Sequence, residues 1–187
     1  MLRDLIERCR SYRRFDPGRK VSKEELERMV DNARLSASGA NRQPLKFILS
    51  NEKEKNQLIF PTLSWAGYLS DWEGPETGER PTGYVVILGD RKISDNFFVD
   101  HGIAAWSILL TSVEMGLGGC MIASVDRDEL RNLLNIDHRY DILLVVALGK
   151  PAEDIVVEAV SNGDIRYYRE NDIHHVPKRS LNDLIVD

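Results

Sequence analysis

The chain has 187 residues, 42% of them hydrophobic and 29% charged, which is typical of one globular domain with a substantial core. The net charge of −5 disfavours non-specific binding to nucleic acid. Residues 1–14 lack the apolar run of a signal peptide, and the longest apolar stretch, 102–123, contains Glu114, so no membrane span is expected. The two cysteines, Cys9 and Cys120, then predict reduced thiols in a cytoplasmic protein.

Two helices are predicted in the N-terminal part of the chain. Apolar residues at helical spacing indicate the first over residues 2–9. Ser22 is the predicted N-cap of the second, because Glu25 three residues later completes a capping box. Val21 and Leu26 flank this start at the spacing of a hydrophobic staple.

A polar turn ends the second helix. It covers residues 36–43, and Pro44 limits any continuation of the helix. A short apolar run at 47–49 predicts a strand, and residues 53–60 read as a helix. The segment 67–83 is rich in glycine, proline and acidic residues, which indicates a surface excursion.

The C-terminal half alternates strands and helices. Residues 84–88 predict a strand, residues 97–115 a long helix for the core or a subunit interface, and residues 116–119 a glycine turn that stops it. Residues 142–148 are apolar and β-branched, which predicts a central strand. The remaining predicted elements are a helix around 130–134 and a strand over 155–157.

Only about four strands are evident from these patterns, and they are interleaved with helices. We therefore predict an α+β or three-layer α/β fold, in which helices flank a sheet, as a single domain over residues 1–187. Within it, residues 64–82 form a lid-like excursion and residues 164–187 a charged C-terminal extension.

A basic segment follows the first helix, and it consists of Arg8, Arg10, Ser11, Arg13 and Arg14. Guanidinium groups match phosphate oxygens in a two-point fashion, and a serine hydroxyl adds a donor. A second basic pair, Lys178 and Arg179, would reach the same phosphate if the tail folds back. A solvated run of surface charge and a nucleic-acid patch are the alternatives, and the acidic total argues against the second.

Two further segments fit a flat ligand. The turn at 36–43 has small side chains and two amides, Asn41 and Gln43, although a plain helix end would look the same. The segment 116–124 is no Rossmann fingerprint; it is either a helix-stopping turn or a backbone that approaches a ring edge. Together with the arginines, these segments suggest a planar, phosphate-bearing cofactor, best matched by FMN.

No metal site is predicted. His174 and His175 are adjacent, so structural or capping roles are favoured over shared metal ligation. Cys120 has no evident histidine or cysteine partner and is expected to be buried and structural.

The assembled sequence resembles the nitroreductase family of FMN-dependent oxidoreductases. The resemblance covers nearly the whole chain in family order, and its matching stretches are 10–15, 33–44, 100–105, 116–120, 147–151 and 176–181. It implies a three-layer α/β/α sandwich with a mixed, mainly antiparallel sheet, and a homodimer with two FMN sites at the interface. It also implies a ping-pong reaction, in which a nicotinamide (NADH or NADPH) reduces FMN and leaves before a nitroaromatic, quinone or related acceptor enters the same pocket. The flavin carries the chemistry, so no catalytic protein residue is required.

The resemblance assigns the cofactor contacts by segment. Phosphate binding falls to the basic segment with Lys178 or Arg179, the turn at 38–43 comes from the other subunit, and residues 121–124 lie along the ring edge. The predicted FMN-binding residues are Arg10, Ser11, Arg13, Ala37, Ser38, Asn41, Gln43, Ile122, Ala123, Ser124, Lys178 and Arg179.

The sequence departs from the family pattern in three places. Cys9 stands where many members have a first arginine, and Leu45 where many have tryptophan. The excursion at 64–82 is not a general family feature; its aromatic residues Trp65, Tyr68 and Trp72 are candidates for stacking on a substrate or for packing in the interface. The acceptor and the choice of nicotinamide stay open. Alternatives to the oxidoreductase are a flavin-binding or flavin-processing protein and a non-catalytic dimeric module of the same fold.

Overall fold

The computed structural model describes residues 1–186, so Asp187, the last residue of the predicted C-terminal extension, lies outside the described residues. The α-helices are α1 (Leu2–Arg8), α2 (Lys23–Arg34), α3 (Lys53–Ile59), α4 (Asp100–Glu114) and α5 (Arg127–Leu134). The strands are β1 (Phe15–Asp16), β2 (Leu45–Ser50), β3 (Gly83–Asp90), β4 (Gly118–Ile122), β5 (Tyr140–Pro151), β6 (Asp154–Ala159), β7 (Tyr168–Glu170) and β8 (Ile173–Lys178).

A five-stranded antiparallel sheet forms the centre of the fold. Its order is β1-β5-β3-β2, and β4 also pairs with β5. The long strand β5 runs beside β3, with Val146 opposite Val85, and its other edge pairs with β4 and β1. Every residue of β3 is buried. The prediction that residues 142–148 form a central strand is therefore confirmed.

Helices cover both faces of this sheet. Neighbouring side chains of a strand point to opposite faces, so alternate residues of β3 pack against different helices. Val85 and Ile87 of β3 pack in one apolar cluster with residues of α2 and α4. Tyr84 and Val86 pack in a second cluster, on the face covered by α3 and α5. The predicted three-layer arrangement with a mainly antiparallel sheet is confirmed.

The predicted start of α2 is also confirmed. The Ser22 hydroxyl accepts a hydrogen bond from the Glu25 N–H at 3.2 Å, and the Glu25 carboxylate accepts one from the Ser22 N–H at 2.9 Å. Val21 and Leu26 are both buried beside this cap. A cap of this kind stabilises a helix by about 1 kcal/mol.

The glycine segment at 116–119 was predicted to stop the long helix, and α4 does end at Glu114. The turn is shorter than predicted, because Gly118 and Gly119 already begin strand β4. A Cβ atom on Gly119 would lie 2.4 Å from the carbonyl oxygen of Ala147, and one on Gly118 would lie 2.6 Å from the Tyr12 ring. Glycine has a low strand propensity, but here close backbone packing requires it. Eight strands are present in residues 1–186, more than the sequence patterns indicated.

Two strands of the C-terminal extension, β7 and β8, form a small sheet with the preceding strand β6. Strands β6 and β8 pair in parallel, and β7 pairs antiparallel with β8. Although the extension is rich in charged residues, the side chain of His174 is buried and only 1% exposed. Across residues 1–186, no helix combines the length and apolar character needed to cross a membrane.

Candidate functional site

A cavity of about 140 Å³ lies where three predicted site segments meet, and we name it the Arg13 cavity. It is lined by Arg13, by residues 64–67 at the start of the excursion, and by residues 120–124 at the end of β4. The structure therefore brings together Arg13, the three predicted ring-edge residues Ile122, Ala123 and Ser124, and the aromatic side chain of Trp65.

Arg13 is held at the cavity by its backbone and by weak contacts of its side chain. Its N–H and that of Arg14 donate to the buried carboxylate of Glu153. The Arg13 guanidinium donates to the Ser11 carbonyl oxygen at 3.1 Å and lies 5.0 Å above the Tyr167 ring. No carboxylate among the described residues forms an ion pair with it. The cavity thus contains a positive charge that is not neutralised within residues 1–186.

His174 steadies the Arg13 guanidinium without altering its charge. The two groups meet at 3.3 Å through the His174 Nε2 atom. Burial, assisted by the positive charge of Arg13, lowers the pKa of His174 to about 4, so the ring is neutral at pH 7. A guanidinium can only donate, so Nε2 accepts and the proton of the ring is assigned to Nδ1. Nδ1 is buried and has no partner among the described residues.

The other arginines of the basic segment have structural partners. The Arg10 guanidinium donates to the carbonyl oxygens of Cys9 and Ile6, both at 2.8 Å, and so closes the end of α1. The Arg14 Nε atom lies 2.8 and 2.9 Å from the two carboxylate oxygens of Glu79. Ser11 forms an isolated bridge with Gly119, and Arg8 pairs with Asp4. Arg13 is the member of the segment that lines the cavity.

Lys178 ends β8 and Arg179 follows it, and both side chains are exposed. Lys178 lies four residues after His174 on β8, so the two side chains point to the same face of the strand. Their Cα atoms are about 13 Å apart at 3.3 Å per residue. The tail folds back so that His174 meets Arg13, but neither Lys178 nor Arg179 lines the Arg13 cavity or contacts Arg13.

The segment after β4 presents hydrogen-bond donors. The carbonyl oxygens of Ala123 and Ser124 accept from Arg127 at 3.1 Å and from the Ser64 N–H at 2.9 Å. The N–H groups of Ala123 and Ser124 have no acceptor within residues 1–186. Both residues are exposed, so these N–H groups are accessible to a ligand with acceptor atoms. The indole Nε1 of Trp65 also has no partner within the described residues, but it is buried beside Gly74 and is not exposed to the cavity.

A second cavity, of about 220 Å³, lies beside the predicted turn, and we name it the Ser38 cavity. Ala37, Ser38 and Gln43 line it, and so does Asp100 at the start of α4. The Asp100 carboxylate, 3% exposed, accepts from the Ser38 hydroxyl at 2.6 Å and from the Gly39 N–H at 2.9 Å. The Ser38 hydroxyl in turn accepts from the Gln43 N–H at 2.9 Å.

The turn itself is strained. Ala40, Asn41 and Gln43 have φ angles of 51°, 52° and 51°, in the left-handed region that non-glycine residues seldom adopt. Each such residue costs on the order of 1–3 kcal/mol, which the surrounding contacts must offset. Asn41 is exposed and lines neither of the two cavities, while the Gln43 side chain donates to the Asn41 carbonyl oxygen at 3.3 Å. Asp100 fixes this unusual backbone.

The two cavities lie on opposite faces of the central sheet. Trp65 and Ile122 of the Arg13 cavity belong to the cluster covered by α3 and α5. Ala33 and Ala104 of the Ser38 cavity belong to the cluster covered by α2 and α4. Within one chain, a single small ligand cannot contact both cavities.

The three predicted stacking residues have different positions. Trp65 is 9% exposed and its ring centroid is 5.8 Å from that of Phe60. Tyr68 is half exposed and its ring lies 5.0 Å from that of Tyr167. Trp72 is covered by the guanidinium of Arg169 at 4.2 Å. Of the three, Trp65 alone lines the Arg13 cavity.

Sequence reasoning missed Asp100, Glu153 and His174 as residues that position the site. Asp100 could have been identified from the sequence, because it is an acidic residue that begins a long apolar helix. It also belongs to one of the stretches on which the family resemblance rests. Glu153 could not have been identified in this way, because its partners are 139 and 140 residues away in the chain.

Comparison with known proteins finds similarity to one family. The model of the nitroreductase family matches residues 6–150. A Bacillus subtilis protein, "Putative NAD(P)H nitroreductase YdgI", is 22% identical over 185 residues, covering 81% of this chain and 88% of the relative. A Parabacteroides distasonis structure, "Putative NADH dehydrogenase/NAD(P)H nitroreductase", has a TM-score of 0.66 at 23% identity, covering 90% of this chain and 96% of the other. An Exiguobacterium sibiricum structure, "a putative nitroreductase in complex with FMN", has a TM-score of 0.70 at 17% identity, covering 82% of this chain and 89% of the other.

Proposed function

The chain belongs to the nitroreductase family, and from that premise we propose that it is an FMN-dependent oxidoreductase that uses NADH or NADPH. The observation that carries the proposal is the Arg13 cavity, where a guanidinium without a carboxylate partner faces free N–H donors. The FMN complex of the Exiguobacterium structure supports the cofactor, and the names of the relatives support the nicotinamide.

The residues of the Arg13 cavity fit FMN. Arg13 offers a fork of donors and a positive charge to a phosphate. The exposed N–H groups of Ala123 and Ser124 suit a ring with several carbonyl oxygens and nitrogens, and the Trp65 side chain lines the same cavity. The cavity is nevertheless only about 140 Å³, below the roughly 300–1,000 Å³ of ligand pockets. A further surface is needed to enclose the cofactor.

We propose that a second copy of the chain supplies this surface through its Ser38 cavity. The two cavities occupy opposite faces of the sheet, so one chain alone cannot close a site from both. Phe98, Val99 and Trp106 expose apolar side chains at the start of α4, beside the turn that Asp100 holds. Exposed apolar side chains of this size are typical of interfaces between subunits. A two-fold dimer would then contain two equivalent sites.

Each group in the proposed site has a distinct role. FMN, held through its phosphate by Arg13, would supply the ping-pong hydride transfer from the nicotinamide to a small nitro, quinone or other aromatic acceptor. Arg13 holds the phosphate, and neutral His174 keeps the guanidinium in place. Burial raises the pKa of the Cys120 thiol, so this sulfur stays protonated at neutral pH and does not compete as a nucleophile.

The absorbance spectrum of the purified protein tests the cofactor. We expect a flavin spectrum, or uptake of added FMN, then anaerobic bleaching by NADH or NADPH and recovery of the colour with benzoquinone or nitrobenzene. If the protein takes up no FMN, the proposal is contradicted, and the alternative of a non-catalytic dimeric module is favoured. Bound flavin that neither nicotinamide reduces would instead indicate flavin binding or processing.

Complementation between two variants tests the shared site. Arg13→Gln damages the Arg13 cavity, and Ser38→Ala damages the turn of the Ser38 cavity. Each homodimer should bind FMN weakly, whereas a heterodimer isolated with two affinity tags should regain one intact site. A heterodimer that binds FMN as weakly as both homodimers would show that each chain forms its own site.

A further inference from the structure

A third cavity, of about 250 Å³, lies away from the proposed FMN site, and we name it the Arg80 cavity. Its walls come from the connection between β1 and α2, from α3 with its flanking residues, and from the end of the excursion. It shares no lining residue with the Arg13 cavity. The Phe60 ring contacts residues of both, since the Arg80 guanidinium lies 4.0 Å from its centroid and the Trp65 ring 5.8 Å.

Arg80 has no polar partner. Its half-buried guanidinium forms no hydrogen bond or ion pair with any residue in 1–186, and its Nε atom is fully buried. By contrast, the neighbouring Arg14 is paired with Glu79. A half-buried cation without a partner is costly unless a ligand completes its hydrogen bonds. Stacking on Phe60 fixes the guanidinium plane, which leaves its N–H edge free for an oxyanion.

The rest of the lining strengthens the positive charge. Lys20 and Lys53 both line the cavity, and no described lining residue has a carboxylate. Asn56 is engaged, since its side chain accepts from Ser50 and donates to the Thr82 carbonyl oxygen. The side chains of Asn51 and Gln57, in contrast, have no hydrogen bond within the described residues.

Apolar side chains complete the walls of the cavity. Phe60, Pro17 and Pro81 lie beside the cations. Burial raises the pKa of the Tyr84 hydroxyl, so it stays a neutral donor at this wall. The volume admits only a small molecule.

From Arg80, the two lysines and the apolar walls, we propose that this cavity binds a small phosphate monoester, with the phosphate on Arg80 and the organic part against the prolines. Three cations in a lining that contains no carboxylate favour a dianion over a single carboxylate. This site goes beyond the proposed function, because none of its residues belongs to the FMN site.

Phenyl phosphate is a suitable probe, titrated into the ¹⁵N-labelled full chain with and without saturating FMN. We expect backbone amide shifts at residues 51–57 and 77–84. Arg80→Gln should weaken binding about tenfold, the loss expected for one charge-assisted contact. Arg91→Gln removes an exposed arginine that pairs with Asp141 and should leave the affinity unchanged. If Arg80→Gln does not fold, Lys53→Gln at an exposed position should still weaken binding several-fold.

Three results would overturn the proposal. The first is an absence of shifts at these residues, or shifts confined to the Arg13 cavity. The second is an unchanged affinity in the folded Arg80→Gln or Lys53→Gln variant. The third is tight binding of either of two further probes. If inorganic phosphate binds as tightly as phenyl phosphate, the ligand is the free ion. If benzoate binds as tightly, the cavity has no preference for a dianion. Because binding at the Arg80 cavity is measured by the chemical shifts of backbone amides around it, these results do not depend on FMN binding.

Discussion

Two neighbouring arginines should respond in opposite ways to the same substitution. Arg13 lines the cavity without a carboxylate partner, whereas Arg14 is tied to Glu79. Arg13→Gln removes a charge-assisted contact to phosphate worth about 1.5–3 kcal/mol, so the Kd for FMN should rise by about 10- to 100-fold. Its effect on the free energy of unfolding should be small, because the guanidinium makes one backbone hydrogen bond and one to neutral His174.

Arg14→Gln is the matched control for this change. It breaks the two-point ion pair with Glu79, whose side chain is 28% exposed, so the free energy of unfolding should fall by about 1 kcal/mol. The Kd for FMN should not change. FMN titration followed by flavin fluorescence and urea unfolding measure the two effects separately. Equal loss of FMN affinity in both variants, or none in Arg13→Gln, would refute the assignment of Arg13 to the phosphate.

Three further variants test the packing around the site. Asp100→Asn should lower the free energy of unfolding by about 2 kcal/mol in urea and weaken FMN binding, because the turn loses a charged acceptor. The pKa of His174 is about 4 when folded against 6.5 for the free side chain, so the unfolded chain takes up the proton first and stability falls from pH 6.5 towards 4. His174→Gln should flatten this part of a pH series of urea unfolding curves. Gly119→Ala should prevent β4 from pairing with β5, seen as loss of a cooperative thermal transition by circular dichroism, since its Cβ would meet the Ala147 carbonyl oxygen.

Features that depend on neighbouring residues could be predicted from the sequence. The capping box of Ser22 and Glu25 is local, and so is the β-branched run at 142–148 that becomes the centre of the sheet. Strand β4 could not be predicted, because its glycines are required by Tyr12 and Ala147, which are distant in the chain. Strands β7 and β8 of the charged tail were not predicted, because the charged residues around His174 gave no indication that its side chain is buried.

The sequence identified a basic segment but could not say which arginine faces a ligand. Arg10, Arg13 and Arg14 have the same chemistry, and their different roles come from their partners. Arg14 is occupied by Glu79, 65 residues away, and Arg10 by the carbonyl oxygens at the end of α1. The importance of a cation for ligand binding therefore depends on which other residues have already neutralised it, and only the folded chain reveals this.

The Arg13 segment joins the C-terminal extension to the excursion. Glu153 accepts from the backbone of Arg13 and from Arg169 at 2.8 Å, and Arg169 covers Trp72 of the excursion. Trp65 and Ala66 are both buried in the core cluster beside α3 and α5, whereas Tyr68 is half exposed and stacks on Tyr167. Ala66 has a φ of 38°, so the excursion leaves the core at a strained residue, which the packing of Trp65 and Ala66 must offset.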